Sequence, residues 1–292
     1  MYECFLEIAF EAELNTKEDP ELLAIAQEQC NENPDTRASA IMELRQMIFE
    51  HGEVKPHRTD DEYLLRFLRS RDFIVRRAYK LLVRYYAFRE QYPALQKGVD
   101  LWGLVKVKVY EGVILDRPDV GRLSIVRWGM WDPNEMPLID LLRAGMAVSE
   151  IGVRQPKLQV FGGTLLVDME GITMRHLAAV TPTLAYQIVS LLGTAMPTKV
   201  RSCHIVNYSW VFNTIFYIFK RFIPQGFWNR LHFHGSDMNS LHQHVARECL
   251  PARYGGTCRS HFPSGLWLQK IKKYRDEDFD REMKALGYVV KE

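Results

Sequence analysis

From about residue 100 onward, short β-rich runs alternate with stretches of helical periodicity, and this alternation limits the possible folds more than any other feature of the chain. β-branched and aliphatic residues dominate the short runs, which cover residues 122–127, 164–168, 202–207 and 230–234. Helical spacing covers residues 137–154, 181–192 and 210–223. The alternation predicts an α/β fold in which a mixed sheet is covered by helices.

From Asn33 to about Gly98 the sequence has helical periodicity. Thr59 to Glu62 form a capping box ahead of an apolar stripe, and Pro93 ends a second helix. We therefore expect an all-helical N-terminal module at residues 1–98 with its core at 33–98, a main domain at 99–262, and a C-terminal tail at 263–292 with a helix over 276–286. The arginines of the module form an anion site or a solvated helix face, and the solvated face is the favoured interpretation: Arg66, Arg69, Arg71, Arg76 and Arg77.

Composition excludes several classes of protein. The 292 residues are 47% hydrophobic and 25% charged, which is ordinary for a globular protein, and the net charge of +2 gives no basic excess for nucleic-acid binding. The acidic start lacks the basic residues of a secretory signal, and no apolar run reaches the roughly 18 residues of a membrane span. The cysteines are scattered, which predicts reduced thiols in the cytoplasm: Cys4, Cys30, Cys203, Cys249 and Cys258.

Motifs for catalysis and cofactor binding are absent from the sequence. It contains no G-x-S-x-G elbow, phosphate loop or G-x-G-x-x-G turn. Asp168 and Glu170 could be an acid/base pair, but without a nucleophile beside them a role in fixing a loop is favoured. We expect neither enzymatic activity nor a cofactor.

Four histidines raise the question of a metal site. His232 and His234 share one face of a strand, whereas His242 and His244 point in different directions if they lie on a helix. No cysteine pair completes a tetrahedral set. Core or interface histidines are therefore favoured over a metal site.

Residues 209–224, SWVFNTIFYIFKRFIP, form an aromatic segment with no charge before Lys220 and Arg221. At helical spacing Phe212, Ile215, Phe216, Phe219, Phe222 and Ile223 share one face, opposite Asn213, Tyr217, Lys220 and Arg221. Such a helix either closes over a core or lies against an apolar surface.

Two other helical stretches have apolar faces that could enclose a cavity. The face of residues 137–154 includes Leu142 and Met146 together with the small Gly145 and the hydroxyl of Ser149. The stretch 181–192 adds Leu184, Ile188, Leu191 and Leu192. From the pattern alone, these faces form either plain core or a cavity wall.

Basic residues lie close to the aromatic segment in sequence. Lys199 and Arg201 share one strand face, Lys220 and Arg221 lie on the polar side of the segment, and Arg230 follows it. These residues form either a site for anionic headgroups or an ordinary solvated rim.

Taken in order, several blocks of the sequence resemble the CRAL-TRIO lipid-binding family, closest to its alpha-tocopherol transfer protein and cellular retinaldehyde-binding protein branch. The blocks are DDEYLLRFLRSRDFIVRRA, WDP at residues 131–133, VDMEGI, MPTKVRSCHIVNYSWVFNTIF, RLHFHGS and LPARYGGT. The resemblance implies a mixed sheet and helices that enclose a hydrophobic pocket beneath a helical gate.

The family pattern also implies positions for the site. The pocket positions are Leu142, Gly145, Met146, Ser149, Ile188, Leu191, Leu192, Met196, Cys203, Phe212 and Phe216, and the gate positions are Phe212, Ile215, Phe216, Phe219 and Phe222. Phosphoinositide-binding positions are Lys199, Arg201 and Arg230, to which Lys220 and Arg221 are added here. Gly226 stands where the family has a further lysine, and Gly145 stands where the tocopherol pattern has a serine.

The resemblance therefore implies a monomeric cytoplasmic carrier that is transiently peripheral at membranes. Its partners would be one hydrophobic lipid, either tocopherol-like, retinoid-like, another isoprenoid or a phospholipid, and a phosphoinositide-containing membrane surface. No nucleic-acid partner is expected. The alternative is a phosphoinositide-binding adaptor without transfer activity.

Overall fold

The computed structural model describes residues 15–291, apart from the side chains of residues 114–116. The acidic start of the chain, whose retention in the mature protein the sequence predicts, lies outside the described residues. The N-terminal module consists of α1 (Pro20–Cys30), α2 (Pro34–His51), α3 (Asp61–Ser70) and α4 (Val75–Gln91). The first three begin at Asp19, Asn33 and Asp60, whose side chains accept hydrogen bonds from free backbone N–H groups of the first turn.

A six-stranded mixed sheet forms the centre of the part of the chain that the structure describes, with the order β5-β4-β3-β2-β1-β6. β2, β3, β4 and β5 pair in parallel, whereas β1 pairs antiparallel with both β2 and β6. The strands are β1 (Tyr110–Arg117), β2 (Gly121–Arg127), β3 (Gly163–Asp168), β4 (Val200–Val206), β5 (Leu231–Gly235) and β6 (His261–Pro263). The predicted α/β class and mixed sheet are confirmed.

Helices connect and cover these strands. They are α5 (Leu138–Gly152), α6 (Pro156–Phe161), α7 (Met174–Ala179), α8 (Pro182–Ser190), α9 (Trp210–Phe219), α10 (Met238–His242), α11 (Ser264–Tyr274) and α12 (Glu277–Ala285). One face of β3 and β4 carries Leu165 and Cys203 toward α9, while the opposite face carries Leu166 and Val206 toward the segment after β5. Among residues 15–291, no helix combines the length and apolar character needed to cross a bilayer.

Several predicted element ends differ from the observed ones. α9 stops at Phe219 and continues as a 3-10 turn over Lys220–Phe222, so the helix is shorter than the predicted stretch 210–223. Pro224 has no backbone N–H for a helical hydrogen bond, and it disfavours a helical conformation at the residue before it. These two effects explain why the helix ends early. β1 and β6 were not predicted at all. β6 has only three residues, too few for a visible period.

The predicted solvated arginine face is wrong for Arg66 and Arg69, which are buried. Arg69 Nε lies 2.8 Å from a carboxylate oxygen of Glu32, at the end of α1. Arg66 pairs with Glu282 of α12, more than two hundred residues away in sequence. Each buried arginine has a paired acid. Arg66 joins the module to α12 through Glu282, and Arg69 joins it to α6 by donating to Gln159 Oε1 at 2.8 Å.

Candidate functional site

The aromatic segment covers a cavity with its apolar side. Phe212 and Ile215 are buried, whereas Tyr217 on the opposite side of α9 is 60% exposed and Trp210 is 67% exposed. The predicted division into an apolar face and a polar face is confirmed. Trp210 adds an apolar group to the outer surface, which the sequence pattern had not singled out.

An outer cavity of about 120 Å³ lies between α9 and the sheet. Its wall is almost entirely aliphatic and aromatic, and includes Leu165, Val167, Cys203, Ile205, Phe212, Ile215, Phe216, Phe219, Ile223 and Phe227. Burial raises the pKa of the Cys203 thiol to about 12, so this sulfur stays protonated and acts as part of an apolar wall. The outer cavity has the character of a site for hydrocarbon.

An inner cavity of about 200 Å³ adjoins the outer one between α5, α8 and the sheet. The two cavities share the wall residues Trp128, Leu165, Val167, Ile188 and Leu192. The inner wall also carries polar side chains, namely Tyr110, Glu111, Arg122, Ser124, Ser149, Thr164, Thr198 and Lys199. The two cavities therefore lie side by side, one with an apolar wall and the other with a wall of mixed character.

Most of the predicted pocket residues lie in these walls. Leu142, Gly145, Ser149 and Leu191 line the inner cavity, Cys203, Phe212 and Phe216 line the outer one, and Ile188 and Leu192 line both. Met146 and Met196 line neither cavity and are packed in the main core instead. Met146 follows Gly145 by one residue, which turns its side chain by about 100° around the helix axis.

Aromatic contacts hold α9 in place. The Phe216 ring centroid lies 5.1 Å from that of Phe233 on β5, and the Phe219 centroid lies 6.3 Å from that of Trp128. Phe222, a predicted gate residue, does not line a cavity and packs against Tyr186 of α8 at 5.7 Å. Ile215 and Phe219 do line the outer cavity.

Polar side-chain contacts do not fasten this helix. Within residues 15–291, no side chain of α9 makes a hydrogen bond or an ion pair with another element. In this part of the chain, the packing of α9 against other elements therefore rests on apolar and aromatic contacts.

The connection into α9 is anchored at one point. Asn207 has a φ of 54° and donates from Nδ2 to Asp168 at 3.0 Å. Asp168 also accepts a hydrogen bond from the Tyr254 hydroxyl at 2.8 Å and one from the backbone N–H of Glu170 at 3.0 Å. This buried carboxylate holds the loop, in agreement with the favoured interpretation of Asp168.

Lys199 and Arg201 lie where the N-terminal module meets the start of β4. Lys199 Nζ lies 2.5 Å from Asp72 Oδ1 and donates to Gln29 O at 2.7 Å. Arg201 donates to Phe161 O at 2.7 Å. The two cations therefore lie between the module and the sheet, and Lys199 also borders the inner cavity.

Arg230 and Arg71 are the other cations of this region, and we name the four residues Lys199, Arg201, Arg230 and Arg71 the basic cleft. Arg230 donates to Val200 O at 2.9 Å, and its charge acts on Arg71 of the α3–α4 turn. Burial, followed by the nearby guanidiniums of Arg84 and Arg230, lowers the pKa of Arg71 to about 10. Clustered cations of this kind are typical of an anion site. The sequence analysis grouped Arg71 with the arginines of the helix face. The proximity of Arg71 to Arg230 depends on the tertiary fold and could not be seen in the sequence.

Lys220 and Arg221 occupy a different place. Both are exposed at the end of α9, where Lys220 Nζ lies 4.4 Å from the Tyr217 ring centroid and the Arg221 guanidinium lies 6.0 Å from it. In the described part of the chain, no contact joins them to the basic cleft. They lie on the outer surface of the aromatic segment.

Four histidine rings pack together on the face of the sheet that points away from α9. The ring centroids of His232 and His244 are 4.3 Å apart, and His204 Nδ1 lies 2.9 Å from His234 Nε2. His242 points elsewhere, to Tyr254 O at 2.8 Å. Within residues 15–291, no three His, Cys, Asp or Glu side chains are placed to hold a metal ion.

We expect this cluster to make the fold sensitive to acid. Burial, followed by the neighbouring rings of His232, His234 and His244, lowers the pKa of His204 to about 3. Below about pH 6.5 the unfolded chain binds a proton that folded His204 rejects, so stability falls as the pH falls. Between pH 7 and pH 5, His204 is expected to lower the free energy of unfolding by about 2 kcal/mol.

Urea unfolding at both pH values checks this expectation. Replacing His204 by Gln removes the titrating group, so the variant should lose about 2 kcal/mol less than the parent between pH 7 and pH 5. The pKa values of His232 and His234 are also lowered, but both residues are present in the two proteins, so the comparison reports the part of the pH dependence that comes from His204. Equal pH dependence of the two proteins would contradict the assignment.

Comparison with known proteins identifies the arrangement. Residues 118–256, which contain β2 to β5 and α9, match the model of the CRAL/TRIO domain. The chain contains a CRAL/TRIO domain. Clavesin-2 of Homo sapiens is 29% identical over 282 residues, covering 94% of this chain and 85% of that protein. Clavesin-1 of Xenopus laevis is 29% identical over 267 residues, covering 89% and 80%.

CRAL-TRIO proteins bind lipids, and the enclosed apolar space fits this property. Among solved structures, that of Sfh5 covers 84% of this chain with 15% identity and a TM-score of 0.45. Assignment to the tocopherol and retinaldehyde branch stays a prediction, as do the individual pocket, gate and phosphoinositide-binding residues and the domain boundaries.

Proposed function

We propose that this protein carries one hydrophobic lipid between membranes and docks on phosphoinositide-containing bilayers through the basic cleft. The observation that carries the proposal is the apolar outer cavity beneath α9, a helix held in place by ring contacts, together with the inner cavity that shares five of its wall residues. The carrier works in the cytoplasm and is peripheral at the membrane.

The free energy of burial explains why such a carrier releases its ligand at a bilayer. Removing roughly 400 Å² of apolar ligand surface from water contributes about 10 kcal/mol before ordering costs. Release into water is therefore slow. Release into a bilayer exchanges one apolar environment for another, so the barrier falls when α9 opens against lipid.

A headgroup in the basic cleft would be connected to the gate through the chain itself. The 3-10 turn Gln225–Arg230 leads from the aromatic segment directly to Arg230 and then into β5. An anion that pairs with Arg230 competes with the bond from Arg230 to Val200 O. If the headgroup prefers the open arrangement, its binding shifts the gate toward opening.

Two measurements on the full chain test the carrier function. Mass spectrometry of an organic extract should find an apolar lipid bound to the purified protein, and the protein should speed movement of that lipid between donor and acceptor vesicles. An extract without lipid, together with no transfer of any apolar probe, would refute the proposal.

Adding a lysine at Gly226 should strengthen docking. Gly226 is exposed and has open space around its Cβ direction, so a side chain fits without rearrangement. One added cation near an anionic bilayer contributes about 1 kcal/mol, or roughly fivefold in affinity for vesicles that contain phosphatidylinositol bisphosphate. Gly226→Gln is the uncharged control in co-sedimentation, and equal binding by both variants would place Gly226 outside the docking surface.

An adaptor that binds phosphoinositides without moving lipid is the second candidate. The adaptor function is favoured, independently of the cavities, by the four cations of the basic cleft. Strong vesicle binding without lipid transfer would establish the adaptor function. Transfer that is lost when the cavity is filled by a larger side chain would exclude it.

A further inference from the structure

Gly145 of α5 faces Tyr110 of β1 across the wall of the inner cavity. A Cβ atom added at Gly145 would lie 2.8 Å from Tyr110 Oη and 3.2 Å from Cζ, closer than side chains normally approach. The absence of a side chain at position 145 therefore admits the Tyr110 ring. The tyrosine occupies the space that a larger residue on α5 would need.

Two contacts hold Tyr110 in this position. Its backbone pairs with Val126 at the start of the β1–β2 ladder, and its hydroxyl donates to Leu141 O at 2.8 Å. Leu141 lies one turn before Gly145 on α5, so the ring spans from the sheet to the helix. Burial raises the pKa of Tyr110, which keeps the phenol protonated and neutral.

The direction of the hydrogen bonds determines what the wall offers to a ligand. A carbonyl oxygen can only accept, so the Tyr110 proton is committed to Leu141 O. Ser149 likewise donates its proton to Gly145 O at 2.8 Å. The two hydroxyl oxygens keep only lone pairs for the cavity, and this end of the wall acts as a hydrogen-bond acceptor.

We propose that Tyr110 is a specificity-determining residue that selects a lipid alcohol over an aldehyde or an ether of the same skeleton. The ring limits the width of the inner cavity on the α5 side, and the oxygen accepts a hydrogen bond from the ligand hydroxyl. An aldehyde or ether brings a second acceptor and leaves lone pairs facing each other. This inference rests on the proposed carrier function and adds the chemistry of the ligand's polar end.

Matched retinoid probes test the inference on the full chain. All-trans-retinol, all-trans-retinal and retinyl methyl ether share one skeleton, and Trp128 in the shared cavity wall reports binding by fluorescence quenching. One hydrogen bond made by retinol alone predicts that it binds about tenfold more tightly than the other two. Tyr110→Phe keeps the ring and removes the oxygen, so it should weaken retinol binding without weakening retinal binding and narrow the difference to about twofold or threefold.

A second pair of variants tests the fit of the ring. Gly145→Ala should weaken all three probes, because the tyrosine must then shift into the cavity, and adding Tyr110→Phe should restore part of the binding. Urea unfolding of each variant separates a change in the cavity from a loss of fold.

The outcomes distinguish this inference from the proposed function. Equal affinity of the parent protein for the three probes, or a full alcohol preference in Tyr110→Phe, would overturn the role of Tyr110 and leave the carrier function standing. If no retinoid binds and no lipid is found in the extract, both fall. Retinol preference in the parent that is lost in Tyr110→Phe supports the inference.

Discussion

Replacing Glu282 by alanine is expected to lower the free energy of unfolding by about 3–5 kcal/mol. The change removes the only acid paired with the buried Arg154 in the described part of the chain, and it leaves the buried Arg66 with the more distant Glu62 at 3.5 Å. Glu282 is buried on α12 and pairs with Arg66 of α3, with Arg58 at 3.0 Å and with Arg154 after α5 at 3.0 Å. Although burial raises the pKa of Glu282, the arginines lower it below its ordinary value, so the carboxylate is charged at neutral pH. Urea unfolding measures the loss.

Asp278 supplies the matched control on the same helix. It is exposed and pairs only with its exposed neighbour Arg281 in the described part of the chain, so Asp278→Ala should cost less than about 1 kcal/mol. Limited proteolysis should show the N-terminal module of Glu282→Ala opening before the sheet. A loss below about 1 kcal/mol for Glu282→Ala would show that the ion cluster does not hold the module.

The main features of the fold could be predicted because they depend on local patterns. Strands β2 to β5 and helices α5, α8 and α9 each have a period or a cap that is visible within a few residues, such as Thr181 before α8. The helix predicted at 276–286 is confirmed as α12, with Asp276 as its cap. Where the pattern was too short, as in β6, nothing in the sequence indicated the strand.

Features that depend on distant partners could not be predicted. Arg66 and Arg69 resemble solvated residues in the sequence, since their acidic partners, Glu282 and Glu32, lie in other elements. Arg71 belongs to the basic cleft only because the α3–α4 turn meets the turn before β5. Tyr110 lies on β1, which the sequence analysis did not find, so the closest neighbour of Gly145 could not be identified.

Reversing the two charges at the end of α9 is expected to reduce affinity for anionic vesicles by close to a thousandfold. Lys220→Glu with Arg221→Glu changes the charge by four units, and each unit near an anionic bilayer contributes about 1 kcal/mol, so the loss is about 4 kcal/mol. The exposed rings of Trp210 and Tyr217 lie on the same helix and suit the interface between lipid and water. The outer side of α9 is therefore expected to face the bilayer when the carrier docks.

Co-sedimentation with vesicles of defined phosphatidylserine content measures this loss, and Lys220→Gln with Arg221→Gln should show about half of it in free energy. Both side chains are exposed, so the fold should keep its stability, which urea unfolding checks. The basic cleft is intact in this variant, and residual binding that depends on phosphatidylinositol bisphosphate would come from that cleft. Unchanged affinity would instead mean that the cleft alone meets the membrane and that α9 opens away from it, so the charge reversal determines which surface the gate presents to lipid.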